Sequence, residues 1–475
     1  MENIILQTHG ISVRYGNFLA LDDVSIRLKN KHIYGFIGEN GAGKTTLMKV
    51  LTGLLYPTNG TFSLFGKNRP CDILKMRRYI GSTIEAPALY PEYSAYRNLE
   101  LQRILIGNPD KEICDNLLGM VGLTEVKDKK VRKFSMGMKQ RLSIAMALVG
   151  KPRLLILDEP INGLDPKNIS ELRNLLKRLN EENDVTLFLS SHILNELYLL
   201  ATDYILSTRG RSSSRSPMRS LTKNFPLRGK ALKNTSLASR EVTAMYNQLM
   251  IEKYKAKRFI IMYLAAAVLA AAGFFLGFLK LPENLDTAMV FSFSICDTSF
   301  MFIVSLVAAW FVGNDFLNRT IHNEIKAGYS RFSVFMVRTI TTVIMAVLLH
   351  LTYVFATVFG FAVKYRFDGS IFSITDFVWL LVVMLQICAN ICIVMFIVFA
   401  LKKVTSGIAV TVVFSFVSGN ILRNFISESV FRLTCFSLAQ TSDNRTLALS
   451  AVFAAAVIVI SLTATHFVFR KAEIK

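Results

Sequence analysis

The chain has 475 residues, 52% of them hydrophobic, which makes room for more than one domain and is too apolar for an ordinary soluble enzyme. Its formal net charge of +21 is unevenly spread, because residues 209–258 hold 13 basic and 2 acidic residues, the mark of a solvated stretch drawn to anionic surfaces. The opening MENIILQTHGISVRYG carries no basic run followed by an apolar core and cleavage site, so no secretory signal is expected and the N-terminus is expected in the cytosol.

Residues 1–208 alternate short apolar, β-branched runs with longer amphipathic ones, the pattern of an α/β domain. HIYGFIG (32–38), RLLILDEP (153–160) and VTLFLSSH (185–192) read as buried strands, and ligands in open α/β sheets bind beyond the carboxyl ends of such strands. Directly after the first comes GENGAGKTT, comprising Gly38, Glu39, Asn40, Gly41, Ala42, Gly43, Lys44, Thr45 and Thr46, followed by a helical run. This G-x-x-x-x-G-K-T pattern between strand and helix is a phosphate loop: glycines let N–H groups curl around phosphate oxygens, Lys44 reaches the β and γ phosphates, and Thr45 is placed for Mg²⁺. In LILDEP the strand delivers Asp158 to the metal, and Glu159 beside it is a general base for an attacking water. His192, ending the third strand, is expected to contact the γ phosphate.

These stretches, with FSMGMKQRLSIAMAL (134–148) and LLILDEPINGLDP (154–166), resemble the ATPase domain of ATP-binding cassette (ABC) transporters over residues 4–206. The resemblance implies ATP and Mg²⁺ as cofactors, with Tyr15 stacking on adenine and Ser135, Gly137 and Asp165 serving nucleotide binding. FSMGM departs from the family's usual L-S-G-G-Q but keeps Ser135 and Gly137. Because this signature closes over ATP held by another subunit, a homodimer or pairing with another ABC subunit is implied. Glu85, in IGSTIEAPALYPEY, stands where most members have a glutamine touching Mg²⁺ and the permease; a glutamate there resembles lantibiotic immunity and bacitracin-type peptide exporters. A strand-end tyrosine and a solvated loop acid are the plainer readings of Tyr15 and Glu85.

Residues 209–240 hold nine basic residues, no acid and one aromatic, Phe225, so a linker over 209–245 is expected, with no strand in it. It suits membrane lipid better than nucleic acid, and a fusion or reading-frame scar is the alternative. Residues 246–475 read as an all-α polytopic membrane domain with six spans, near 259–279, 288–312, 334–363, 374–401, 404–426 and 446–469. Basic residues in KYKAKR (253–258), at Arg319, Lys326 and Arg331, at Lys402 and Lys403, and at Arg470, Lys471 and Lys475 fall on one side, which puts both termini in the cytoplasm of a multi-pass membrane protein.

The stretch 313–338 resembles the first cytoplasmic loop of the accompanying permeases, with a short helix expected against residues 86–103. Among polar residues in the spans, Arg338 is expected to snorkel, while Asp297 and Asn390 are either pathway residues or helix–helix hydrogen bonders. The six cysteines show no metal or disulfide spacing. The expected function is an ATP-driven exporter of peptide antibiotics. Export of sodium, lipid or drugs, or an ATPase with an incidental permease half, is the alternative; an ATPase acting on ribosomes or DNA is at odds with the spans.

Overall fold

A computed structural model describes residues 4–38, 41–191, 194–206, 208–209, 218–219, 237–281, 285–295, 297, 300–365, 374–401, 404–420 and 444–471. Outside the described residues lie Glu39, Asn40 and His192, most of the basic linker, the Lys402/Lys403 pair, Lys475, and the loop charges Glu283, Arg366, Asp368, Arg423, Glu428, Arg432 and Asp443. The chain divides into two units, the first formed by residues 1–251 with 318–334, the second by 252–317 with 335–471.

The first unit contains two sheets. Five strands run parallel in the order β6 (Ile80–Thr83), β7 (Leu154–Asp158), β8 (Thr186–Ser191), β4 (Ile33–Ile37) and β9 (Asp203–Leu206). β7 and β8 are buried at every position, which is why they read as continuous apolar runs and not as alternating ones. The second sheet is built on the 12-residue β1 (Ile4–Tyr15), which pairs with β2 (Phe18–Val24), β3 (Arg27–Lys29) and β5 (Asn59–Leu64), all antiparallel. Its helices are α1 (Lys44–Thr52), α2 (Pro70–Met76), α3 (Ala95–Ile106), α4 (Ile113–Met120), α5 (Met136–Leu148), α6 (Pro166–Glu181) and α7 (Leu194–Tyr198), and α8 (Leu237–Lys257) begins in this unit. An apolar core of Leu155, Leu157, Leu187 and Leu189 with Leu142, Leu172 and Leu176 seats helices against the parallel sheet.

The basic stretch differs from expectation. β10 (Thr208–Arg209) pairs with β11 (Met218–Arg219), whose Met218 bridges Leu21 of β2. A two-residue edge strand needs only main-chain partners, so a composition that rules out a core strand does not rule it out. Likewise α8 starts at Leu237, inside the expected linker, because LASREVTAMYNQLMIEKYKAK lacks glycine and proline and is rich in good helix formers. Residues 318–334, assigned from sequence to the membrane domain, belong to the first unit.

The second unit is helical: α9 (Ile260–Phe275) with a π turn at Leu276–Lys280, α10 (Thr287–Ile295), α11 (Met301–Leu317), then, after α12 (Ile321–Lys326) of the first unit, α13 (Arg331–Tyr365), α14 (Ile374–Leu401), α15 (Val404–Asn420) and α16 (Asn444–Lys471). Among the described residues four helical segments are long and apolar enough to cross a membrane, Ile260–Lys280, Arg331–Tyr365, Val378–Leu401 and Arg445–Phe469. The expected second span, 288–312, is divided between α10 and α11. The division falls at Asp297, whose carboxylate accepts a hydrogen bond from the Tyr353 hydroxyl, while His350 Nε2 donates at 3.0 Å to the Ile295 carbonyl at the end of α10. Off-helix partners for a carboxylate and a freed carbonyl make an interruption tolerable in an apolar unit.

Arg338 does not snorkel. It is fully buried, and its Nε donates at 2.9 Å to Asp315, which also receives Lys255 at 2.5 Å, while Lys255 meets Glu252 at 2.8 Å. A cation stays in such a place only when a carboxylate is buried with it, and Asp315 supplies that charge.

Candidate functional site

The phosphate loop leaves β4 and enters α1 through Gly43, at φ +84°. A Cβ there would lie 2.6 Å from Leu21 Cδ2 and 2.7 Å from the Ala20 carbonyl, so only glycine fits. α1 has no acidic residue in its first turn, so no carboxylate of its own offsets the positive end of the helix. Lys44 is buried and donates from Nζ to the Gly38 carbonyl at 2.6 Å, curling over the loop it belongs to.

β4, β8 and β7 are adjacent in the sheet, so their carboxyl ends converge. Thr45 Oγ1 donates to Asp158 Oδ2 at 2.8 Å, and Lys44 Nζ lies 3.9 Å from Glu159 Oε1. The pair is oriented by a residue to which sequence reasoning assigned no role. Ser190, fully buried at the end of β8, donates to Asp158 Oδ1 at 2.6 Å and accepts from the Glu159 N–H at 2.9 Å. Glu159 itself sits at φ +49°, a conformation that costs a non-glycine residue and is held by that hydrogen bond among others. The only sequence signal for Ser190 was a hydroxyl at the end of an otherwise apolar strand.

Oxygen donors at Thr45 and Asp158, within hydrogen-bond distance of each other, form a donor set suited to Mg²⁺. The glycine cradle, the helix start and Lys44 suit a polyphosphate. The residues present therefore fit Mg²⁺ and ATP. Tyr15 stands half-buried at the end of β1, where a tight hairpin pairs it with Phe18.

Ser135 caps α5, accepting from the Met138 N–H at 3.3 Å, and is exposed together with Met136. Gly137 lies beside Asn168, which bonds Asp165 and Arg141. Among the described residues these contacts run within the α5–α6 surface and not to the phosphate loop.

Glu85 is engaged by two cations of the chain. Its Oε1 is 2.7 Å from Lys49 Nζ and its Oε2 2.5 Å from Arg319 Nη1, so two cations engage both oxygens. Burial pushes the carboxyl up, but the Lys49 hydrogen bond and the charges of Lys49 and Arg319 outweigh it and hold it below its ordinary value.

Arg319 belongs to the segment around α12, which is seated against the expected stretch near 86–103 and also against carbonyls outside it. Asn323 Nδ2 donates to the Ala88 carbonyl at 2.9 Å and Lys326 Nζ to the Ser82 carbonyl at 2.9 Å; Tyr329 donates to Leu105, and Arg331 to Leu54 at 3.0 Å. Ala88 falls in the expected 86–103 and Leu105 just past it, while Ser82 and Leu54 lie outside it. Leu54 and Leu105 lie where α1 and α3 end and leave carbonyls without helical donors, which draws the donors of the loop there. Burial lowers Lys326 to about 8 and His322 to about 3, the latter with help from Lys326 and Arg319.

The family model "ABC transporter" matches residues 21–162. The chain is 42% identical over 219 residues, 46% of its own length and 72% of the relative's, to the bacitracin transport ATP-binding protein BcrA of Bacillus licheniformis. It is 42% identical over 201 residues, 42% of its length and 85% of the relative's, to the lantibiotic transport ATP-binding protein SrtF of Streptococcus pyogenes. Of the BcrA protein of Enterococcus faecalis it spans 64%, at 43% identity. Among solved structures it is similar to cbiO1 from Clostridium perfringens, part of the ABC transporter complex cbiONQ, at 28% identity and a TM-score of 0.40, covering 46% of this chain and 88% of that one.

Proposed function

The chain belongs to the ABC transporter ATP-binding proteins and is an ATP hydrolase whose reaction is coupled to transport, and from that premise we propose that it is an exporter in the cytoplasmic membrane that removes peptide antibiotics of the lantibiotic or bacitracin type. The observation that carries this reading is one chain uniting the Lys44, Thr45, Asp158 and Glu159 constellation with long apolar helices. The substrate class comes from the relatives, named for bacitracin and lantibiotic transport.

In this reading Lys44 and the N–H groups at the start of α1 bind the β and γ phosphates, and Tyr15 stacks on the adenine. Thr45 and Asp158 hold Mg²⁺, which supplies charge neutralisation at the phosphates when bound. Ser190 aims Asp158 and Glu159, and Glu159 takes the proton of the attacking water, with His192 at the γ phosphate. Ser135, Gly137 and Asp165, turned away from their own phosphate loop, close over the nucleotide of a second ATPase domain, so the working form is a homodimer or a pair with another ABC subunit. Six spans with both termini cytoplasmic complete the exporter, the interrupted α10–α11 run counting as one.

The test is survival of a sensitive cell carrying the wild-type chain or Glu159→Gln across a panel of lantibiotics and bacitracin. Wild type is expected to protect and the variant not. Equal sensitivity with and without the protein across the panel overturns the peptide assignment and returns sodium, lipid or drug export to the front.

A further inference from the structure

We propose that Arg77 and Arg331, which converge on Gly53 at the C-terminal end of α1, form a second anion site that takes a phosphate group, either that of a lipid headgroup or free inorganic phosphate.

The site is built by packing. α2 is followed by one 3-10 turn, Arg77–Tyr79, and the Arg77 side chain lies against the turn that ends α1. Gly53 closes that helix at φ +83°, and a Cβ on it would come within 2.4 Å of Arg77 Cζ and Nη1, so only glycine lets the guanidinium press so close. Arg331 meets the same residue through its carbonyl: Nη2 donates to Gly53 at 3.4 Å and to Leu54 at 3.0 Å, and the guanidinium stands 4.9 Å from the centre of the Tyr56 ring. Two guanidiniums at one glycine bring two full positive charges. The end of a helix offsets about half of one.

Arg77 is the member left uncompensated. It is 7% exposed, its Nε is buried with no hydrogen-bond partner, and among the described residues no carboxylate pairs with it. Arg338, the other deeply buried arginine, has Asp315. Burial lowers Arg77 to about 10, with the Arg331 charge adding to the effect and Tyr56 opposing it, so the side chain still carries its charge near neutral pH. A buried cation that neither titrates nor pairs within the chain calls for an anion from outside it. A carboxylate, with two oxygens, is satisfied by one guanidinium fork, whereas a phosphate group has oxygens enough to engage two.

Position bears on the source of the phosphate. Tyr56, beside Arg331, is more than half exposed, so the pair is reached from the surface there. Arg331 is also the first residue of α13, whose 35 residues rise about 52 Å, against about 30 Å for a hydrocarbon core. The start of such a helix stands at the headgroup layer or just beyond it. Phe332, next in the chain, is exposed as well, the character of aromatic residues at a membrane surface. An anionic leaflet presents phosphate groups at this level, and the cytosol presents free phosphate to the same two forks.

The experiment is thermal unfolding of the delipidated full chain in a neutral detergent at constant ionic strength, titrated with dihexanoyl phosphatidylglycerol below its micelle-forming concentration or with inorganic phosphate. An anion that binds only the folded chain raises the midpoint once its concentration passes the dissociation constant. The parent midpoint is expected to rise, and Arg77→Met to need roughly tenfold more anion or more for the same rise, the loss of one charge-assisted hydrogen bond. Phosphate taken up by the loop around Lys44 stabilises parent and variant alike and drops out of the difference. A response to the lipid at the lower concentration identifies a headgroup as the source, and the reverse order identifies free phosphate; either supports the site. Without added anion, Arg77→Met is expected to unfold at or above the parental midpoint, because it removes an uncompensated buried charge. Arg331→Met, which removes the second fork and leaves Arg77 in place, is expected to need roughly tenfold more anion too, and it carries the test should Arg77→Met not fold. A parent that responds to neither anion overturns the proposal, and so do variants that respond at the parent's concentrations. No nucleotide and no peptide enter the measurement, so its outcome is independent of the exporter reading.

Discussion

Replacing Ser190 with alanine is the sharpest probe of the site, because one buried hydroxyl serves both carboxylate residues. The change removes the 2.6 Å donation to Asp158 and leaves the Glu159 N–H, held at 2.9 Å, without that acceptor. A hydrogen bond to a charged group contributes about 1.5–3 kcal/mol and a neutral one about 0.5–1.5 kcal/mol. The two terms share one atom and overlap, so a combined loss of about 3 kcal/mol is expected, roughly a hundredfold in an equilibrium or rate. Part of it falls on Glu159, whose φ of +49° loses a restraint. Steady-state ATP hydrolysis should therefore show kcat lower by roughly ten- to a hundredfold, with the nucleotide dissociation constant changed by less than about threefold, since Lys44 and the glycine cradle are untouched. Ser190→Thr, which keeps the hydroxyl, should recover part of the rate. Unaltered kcat in Ser190→Ala, or a loss confined to nucleotide affinity, would refute the assignment of Ser190 as the residue that aims the pair.

The second unit offers a stability test: Asp315→Asn withdraws the acid that Arg338 and Lys255 share, and breaking a buried pair on one side costs about 3–5 kcal/mol, to be read as a lower midpoint of thermal unfolding in nanodiscs. Arg338→Met added to Asp315→Asn should return part of that loss, and a midpoint unchanged by Asp315→Asn would contradict the network. The α12 segment gives a pH test. His322 is held near 3 when folded, against 6.5 when free, so between those values the open segment binds a proton that the docked one does not. Docking therefore weakens as pH falls below about 6.5, by up to roughly tenfold in the opening equilibrium per pH unit, and His322→Leu should flatten that slope in hydrogen exchange corrected for intrinsic rates. Glu85 acts lower down: its folded value lies below 4.5, so its contribution is complete above 4.5 and disappears as pH falls through the folded value.

Much of the nucleotide site was legible in the chain. Strands at 33–37, 154–158 and 186–191 each stand within a residue or two of where apolar runs put them, because a parallel strand covered on both faces must be apolar throughout. Glycine at 43 and the lysine and threonine after it follow from local geometry, since a left-handed turn into a helix start is specified by adjacent residues. Ser190 escaped notice because its role depends on which strands lie side by side, a fact of sheet order and not of local spacing. Glu85 was legible as an unusual residue but not as the partner of Arg319, 234 positions away.

Sequence by itself, then, determined the elements whose cause is local: buried strands, the phosphate loop, apolar helices, and the excess of charge at 209–240. Tertiary structure alone decided where charges find partners. Arg338 near the end of an apolar run looks ready to snorkel until Asp315 is brought to it, and the basic segment 318–334, expected against 86–103, also finds the carbonyl of Leu54 past the end of α1. Hydrophobic burial acts on each residue according to its own surface and so leaves a periodic trace in the chain. Ion pairs and hydrogen bonds act between two groups within a few ångströms, and the chain brings such groups together from any separation, so spacing along it holds no record of the pair.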